Sequence, residues 1–306
     1  MPNLKLALRA LFKTPFVTTV AGVSLALGIG ANAAIYSLLD QILLRPLPVH
    51  EPGRLVDLSA PGPKPGSQSC NQAGDCDAVF SYAMFRDLER VQDVFTGIAG
   101  HRAFGANLAP RGQTPLNGQG MLVSGSYFPV LGLTPALGRL LGPSDDQPIG
   151  ANFVAVLSYG YWQTQLGSDP AVLNQTIIVN GQPLTIVGVA PRGFEGTTLG
   201  SEPKVFVPLS MRGLMSPGFT QFENRQTYWV YLFGRLKPGI SLAQASTRIN
   251  IPYHSIINEV EAPLQKGMSD ATMVRFKART LTVEDGRRGQ SSVHTETRTP
   301  LLFLFG

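Results

Sequence analysis

Val17-Thr-Thr-Val-Ala-Gly-Val-Ser-Leu-Ala-Leu-Gly-Ile-Gly-Ala-Asn-Ala-Ala-Ile-Tyr-Ser-Leu-Leu39 is a run of 23 residues with no charge. As a helix, at ~1.5 Å per residue, it covers roughly 35 Å, enough to cross a ~30 Å hydrocarbon layer with some tilt. Its small residues, with Gly22, Gly28, Gly30 and Ala33 as the packing face, allow close approach to another helix in lipid. Lys5, Arg9 and Lys13 precede the run and no acid does. By the positive-inside rule the N-terminus is cytoplasmic and everything after Leu44 is exported.

Two other readings compete with an uncleaved anchor. A cleaved signal peptide fits the Ala31-Asn32-Ala33 motif, but the apolar stretch is longer than a usual signal core and continues through Ile42, Leu43 and Leu44. A buried helix of a soluble protein conflicts with the charge-free length and the one-sided cations. Gly28-Ile-Gly30-Ala-Asn-Ala33 matches a dinucleotide fingerprint in letters only, because that fingerprint needs a strand before it and a helix opening at it. Upstream, Lys5, Arg9 and Lys13 share one helical face and Leu4, Leu8, Leu11 and Phe12 the next. This pattern suits a short cationic helix on the inner membrane surface, and equally a plain basic flank.

Only 15% of the 306 residues are charged, while 43% are hydrophobic, which excludes a disordered chain. The net charge is +5, and residues 1–47 hold +3 of it, from four cations against Asp40. The nearly neutral remainder offers no basic surface, so nucleic acid is not an expected partner.

Beyond the run, the pattern predicts an α+β region. Strands are expected at 54–59, 98–108, 115–123, 153–157, 204–209 and 227–236. Thr176–Val179 and Gln182–Val189 form a hairpin around Asn180-Gly181, a pair that accepts the positive φ of a tight turn. Ser81 caps a helix expected to run to Val94, and Ser158 caps another holding Tyr161, Trp162 and Leu166. Ser241-Leu-Ala-Gln244 is a capping box opening a helix to about Glu261, disturbed at Pro252. Thr272–Val283 reads as the strand returning from that helix, completing a β-α-β unit. Residues 301–306 start a new apolar run, read as the cut-off beginning of a second membrane helix.

Cys70 and Cys76 flank five residues of a Gly-containing loop. In an oxidising compartment a bridge between them is sterically reasonable; free thiols in a loop are the alternative. There is no G-x-x-x-x-G-K-[ST], H-E-x-x-H or G-x-S-x-G motif. His50, His101, His254 and His294 are scattered, and Asp145-Asp146, flanked by prolines, reads as a solvated turn. No catalytic, metal or cofactor site is expected, and the chain does not read as an enzyme.

Leu25-Ala-Leu-Gly-Ile-Gly-Ala-Asn-Ala-Ala-Ile-Tyr-Ser37, followed by Leu43-Leu-Arg-Pro-Leu-Pro48, resembles the first membrane helix and exit of the MacB-like/FtsX-like ABC transporter permeases, in particular their duplicated acidobacterial-type branch. Phe80-Ser-Tyr-Ala-Met-Phe-Arg86, Val123-Ser-Gly-Ser-Tyr-Phe128, Val156-Leu-Ser-Tyr-Gly-Tyr-Trp162 and Ile186-Val-Gly-Val-Ala-Pro191 extend the resemblance along the chain. It implies an α+β periplasmic core of two lobes. A porter-like β-α-β lobe, residues 53–135 plus 226–283, is split by a strand-rich, sabre-like insert, residues 136–225. The full division is a cytoplasmic amphipathic segment at 1–15, the membrane helix with its extension at 16–47, the core at 48–297, and the start of a second membrane helix at 298–306. The resemblance also implies a cytoplasmic ABC ATPase partner and a homodimer or internally duplicated permease in the inner membrane. On this basis the expected function is a non-catalytic permease subunit that couples the ATPase to periplasmic work. The alternative is a membrane-anchored periplasmic binding or sensor module. Against the family pattern, the 306 residues are expected to be a truncated permease whose ATPase is a separate chain.

Overall fold

The structure, a computed structural model, describes residues 15–39, 45–110 and 114–292. The chain divides into two compact units: one holds the N-terminal helix, and the other is Pro46–Glu296.

The N-terminal helix, α1, runs from Pro15 to Leu39. Pro15 is tolerated because the first turn has no use for its missing N–H. The stretch Pro15–Ala34 is long and apolar enough to cross a membrane, and none of it is buried within the chain.

The second unit is a mixed α+β domain. Its strands are β1 (Leu55–Ser59), β2 (Ser67–Gln68), β3 (Val79–Ser81), β4 (Phe95–Pro110), β5 (Leu116–Val123), β6 (Leu137–Gly138), β7 (Val154–Leu157), β8 (Thr176–Val179), β9 (Gln182–Val189), β10 (Pro203–Pro208), β11 (Thr227–Leu236) and β12 (Thr282–Asp285). They join in one sheet of order β12-β1-β11-β4-β5-β10-β7-β9-β6, with β2 and β3 on β11, and β8 between β4 and β9. The pairs β5–β10 and β7–β9 are parallel, and β1 lies antiparallel between β11 and β12.

β11 is the central element, almost wholly buried along its length. A strand covered on both faces must be apolar on both, which explains the unbroken Tyr-Trp-Val-Tyr-Leu-Phe run. Val230, Leu232 and Leu236 face a core shared with α2 (Tyr82–Val91) and α6 (Leu242–Ser255). Phe233 faces a second core built on α3 (Tyr127–Leu131), with Tyr127, Phe128, Phe194 and Phe206 packed edge to face or stacked. The remaining helices are α4 (Tyr159–Gln165), α5 (Arg212–Met215) and α7 (Asp270–Lys277).

The expected caps form. Ser81 Oγ accepts from Met84 N, Ser158 Oγ from Tyr161 N, and Ser241 and Gln244 make a reciprocal box. The 176–189 hairpin forms with Asn180 and Gly181 at φ 48° and 80°. α2 stops at Val91, short of Val94, because Gln92 turns extended and its side chain accepts from Phe95 N, starting β4 early. α6 carries Pro252 inside it and loosens after Ser255 into a π turn, Ile256–Glu261.

One expectation fails. Of the strand expected at 272–283, residues 272–277 are helical and only 282–283 are strand: Ser269 caps α7 through Thr272 N, with Asp270 in its first turn and Arg275 and Lys277 in its last. Charges placed to suit the helix dipole outweigh the β-branched residues there. The returning strand is only β12, and it sits beside β1, one place away from β11.

Candidate functional site

The strongest polar constellation lies where residues 143–146 meet α2, the β5–α3 turn and the end of β10. Pro143–Asp146 forms a tight 3-10 turn. Asp145 is held by the Arg139 guanidinium at 2.6 and 2.9 Å and accepts from Gly142 N. Asp146 turns inward, only 1% exposed. Its Oδ1 accepts from Ser210 N at 2.9 Å, and its Oδ2 from Gly125 N at 3.2 Å and Arg86 Nη2 at 3.0 Å. Arg86 also donates to Glu89 and to the Tyr82 hydroxyl, and Ser126 Oγ stands 3.0 Å from Glu89 Oε1. The solvated turn expected at Asp145-Asp146 is therefore corrected. The prolines bend the chain so that the second carboxylate replaces lost water with three protein donors.

Gly125 makes this approach possible. A Cβ there would stand 2.5 Å from Pro143 Cα and 2.6 Å from Gly142 O. Burial pushes the Asp146 carboxyl up to about 6, opposed by Arg86 and by the Ser210 and Gly125 amides. Three donors from the chain itself meet the two oxygens of this carboxylate. Its chemistry is that of a clasp between three chain segments.

Two fragments of the family resemblance, 80–86 and 123–128, supply Arg86, Gly125 and Ser126 to this clasp. Asp146 itself was legible only as an acid between prolines; no local pattern marks it as buried.

The residues singled out from sequence lie apart from the clasp. On α1, a Cβ added at Gly22, Gly28 or Gly30 meets nothing within 4 Å, and Ala33 is exposed. Lys5, Arg9, Lys13, His294 and residues 293–306 lie outside the described residues. Cys70 and Cys76 have Cα atoms 5.3 Å apart with their sulfurs joined, in a loop closed by an Asn71–Gly74 bridge. His101 is fully buried with Nε2 2.7 Å from Gln290 Oε1, and burial pushes its imidazole down to about 4. His50 is exposed and His254 half-buried. Trp229 is fully buried and Trp162 half-buried. Among the described residues no three His, Cys, Asp or Glu side chains cluster as a metal site would require.

Residues 17–250 match the family of the MacB-like periplasmic core domain. The chain belongs to that family. MacB-like core domains are the periplasmic domains of ABC transporter permeases, components that are typically non-catalytic. Among solved structures, the chain is similar to the periplasmic region of MacB from Actinobacillus actinomycetemcomitans, at 16% identity over 73% of this chain and 89% of that one, with a TM-score of 0.48. It is also similar to the extracellular domain of the noncanonic ABC-type transporter YknZ from Gram-positive bacteria, at 14% identity over 75% and 98% of the two chains, TM-score 0.47. No curated protein sequence matches.

Proposed function

We propose that this chain is the non-catalytic permease subunit of an ABC transporter. It couples a separate cytoplasmic ATPase to work in the periplasm, whether efflux, lipoprotein release or control of a cell-wall enzyme. The observation that carries this reading is the family match, which starts at residue 17, inside α1, and so covers residues of the apolar helix as well as of the core. In this reading α1 crosses the inner membrane with residues 1–15 in the cytoplasm. Lys5, Arg9 and Lys13 meet anionic lipid there, and the core is periplasmic. Gly22, Gly28, Gly30 and Ala33 form the face that packs against a helix of a second copy or of a duplicated half.

The two-lobe division belongs to the same proposal. Its support is the sheet order: β12, β1, β11, β4 and β5 come from 53–135 and 226–283, whereas β10, β7, β9 and β6 come from 136–225. The insert thus supplies one end of the sheet, with its β8 also pairing β4, and the Asp146 clasp ties the start of the insert to Arg86 and Gly125 of the first lobe. Export also places Cys70 and Cys76 in an oxidising compartment, where their bridge is expected to persist.

The test uses the full protein in cells with its ATPase. A reporter fused near residue 150 should behave as periplasmic, and the chain should co-purify with an ABC ATPase whose turnover it alters. A cytoplasmic reporter refutes the topology. Periplasmic placement without any ATPase association refutes the coupling and leaves an anchored binding module.

A further inference from the structure

A second buried polar group lies away from the clasp, beneath the π turn that follows α6. Tyr228 on β11, Tyr253 on α6, Glu261 at the end of the π turn and Arg279 after α7 line one cavity with β3. It measures about 10 Å³ as space open to the centre of a water molecule. Tyr253 is 0% exposed, Glu261 1%, Tyr228 3% and Arg279 5%.

Five polar atoms there, Tyr228 Oη, Tyr253 Oη, Glu261 Oε1, Arg279 Nε and Arg279 Nη1, have no hydrogen-bond partner among the described residues. Arg279 Nη2 is already engaged, donating to Ala60 O, and Arg225 Nη1 stands 3.6 Å from Glu261 Oε1, beyond hydrogen-bond reach. Buried polar groups in folded proteins are nearly always satisfied, by protein or by ordered water. These groups line one shared space, where Arg279 lies close enough to favour the Tyr228 hydroxyl and Arg225 to pair with Glu261, but none of the five atoms has a hydrogen bond of ordinary geometry. That is the spacing of groups bonded to a common bridging molecule.

The chemistry narrows the occupant. Burial pushes the Tyr253 hydroxyl up to about 12 and raises Tyr228 as well, so both stay neutral and can donate or accept. Arg279 only donates and Glu261 supplies an acceptor. A ligand that both donates and accepts satisfies this set; a small anion would face the Glu261 oxygen. On this measure roughly 10–15 Å³ admits a single water, which needs two to four polar partners.

We propose that this cavity is an internal hydration site, holding one water bonded to Tyr228, Tyr253, Glu261 and Arg279. The local backbone makes it possible. Pro252 has no N–H to give, α6 gives way to the wider π turn, and Ile256, Ile257 and Glu261 turn inward together. The water then pins the end of the crossover helix to the central strand and to the segment leading into β12.

Two measurements on the full chain decide it. A structure resolving ordered solvent should show one peak within about 2.6–3.2 Å of at least three of the four side chains. An empty cavity, or an anomalous signal there after bromide soaking, overturns the proposal. The second measurement is chemical unfolding of Tyr228→Phe and Tyr253→Phe. If a water bridges the hydroxyls, each variant should lower the folding equilibrium constant by about 5- to 10-fold. If the cavity is dry, deleting an unpaired buried hydroxyl should leave that constant unchanged or raise it, and this outcome refutes the site.

Discussion

Asp146→Ala should destabilise the core, and the damage should grow as the pH falls. The substitution leaves Ser210 N–H and Gly125 N–H buried without their acceptor and removes one of the carboxylates that hold Arg86. An unpaired buried donor costs about 1–3 kcal/mol, so the gross loss is roughly 2–6 kcal/mol. At neutral pH part of this is offset, because burial raises the carboxyl from 3.8 to about 6 and its ionised form is itself unfavourable in the core. At roughly 1.4 kcal/mol per pKa unit that offset is at most ~3 kcal/mol. Taking the middle of that gross range, about 4 kcal/mol, and the full offset, the net loss expected at pH 7 is about 1 kcal/mol.

The proton binds the folded state more tightly than the unfolded one. Asp146 thus contributes most below pH 3.8, and that contribution is lost as the pH rises through about 6. Between pH 7 and pH 4.5 the gap between wild type and Asp146→Ala should widen by up to ~2 kcal/mol, and Asp146→Asn should show no such slope. The assay is urea unfolding of the full chain in detergent at several pH values, followed by the fluorescence of buried Trp229. A gap that narrows on acidification, or no loss at all, would mean that Asp146 behaves as a solvated or well-paired carboxylate, and the clasp reading would be wrong.

Other outcomes follow from the same structure. His101 runs the opposite way: its imidazole falls from 6.5 to about 4 in the fold, so its contribution is present above pH 6.5 and lost as the pH falls through 4. His101→Phe should remove roughly 3 kcal/mol of that acid sensitivity, read from acid unfolding curves against wild type. Periplasmic protein should yield no alkylatable thiol at Cys70 or Cys76 by mass spectrometry without reductant, and closing so small a ring should add only ~2 kcal/mol, seen as a modest drop in urea midpoint on reduction. Gly28→Leu or Gly30→Leu should leave core unfolding unchanged, because a Cβ there meets nothing within 4 Å among the described residues. Either change should lower recovery of the assembled complex; unchanged assembly and ATPase coupling would reduce α1 to a tether.

The sequence by itself determined the apolar helix, because a membrane-length run without charge needs no tertiary context to be read. It determined the capped starts of α2, α4 and α6 and the 176–189 hairpin for a similar reason: Ser81, Ser158, Ser241 and Asn180-Gly181 act on amides within three residues of themselves. That 227–236 is a strand was equally plain from its aromatic and β-branched run, Tyr228 to Phe233. Tertiary structure alone decided which strands neighbour which and that β12 pairs with β1 instead of β11. Each of these turns on contacts between residues far apart in the chain. The two buried polar groups were decided in the same way. Asp146 is local to its turn, but its donors come from positions 86, 125 and 210, and the cavity collects positions 228, 253, 261 and 279. A carboxylate between prolines looks solvated until those distant donors arrive, because burial is a property of the assembled surface and not of the flanking sequence.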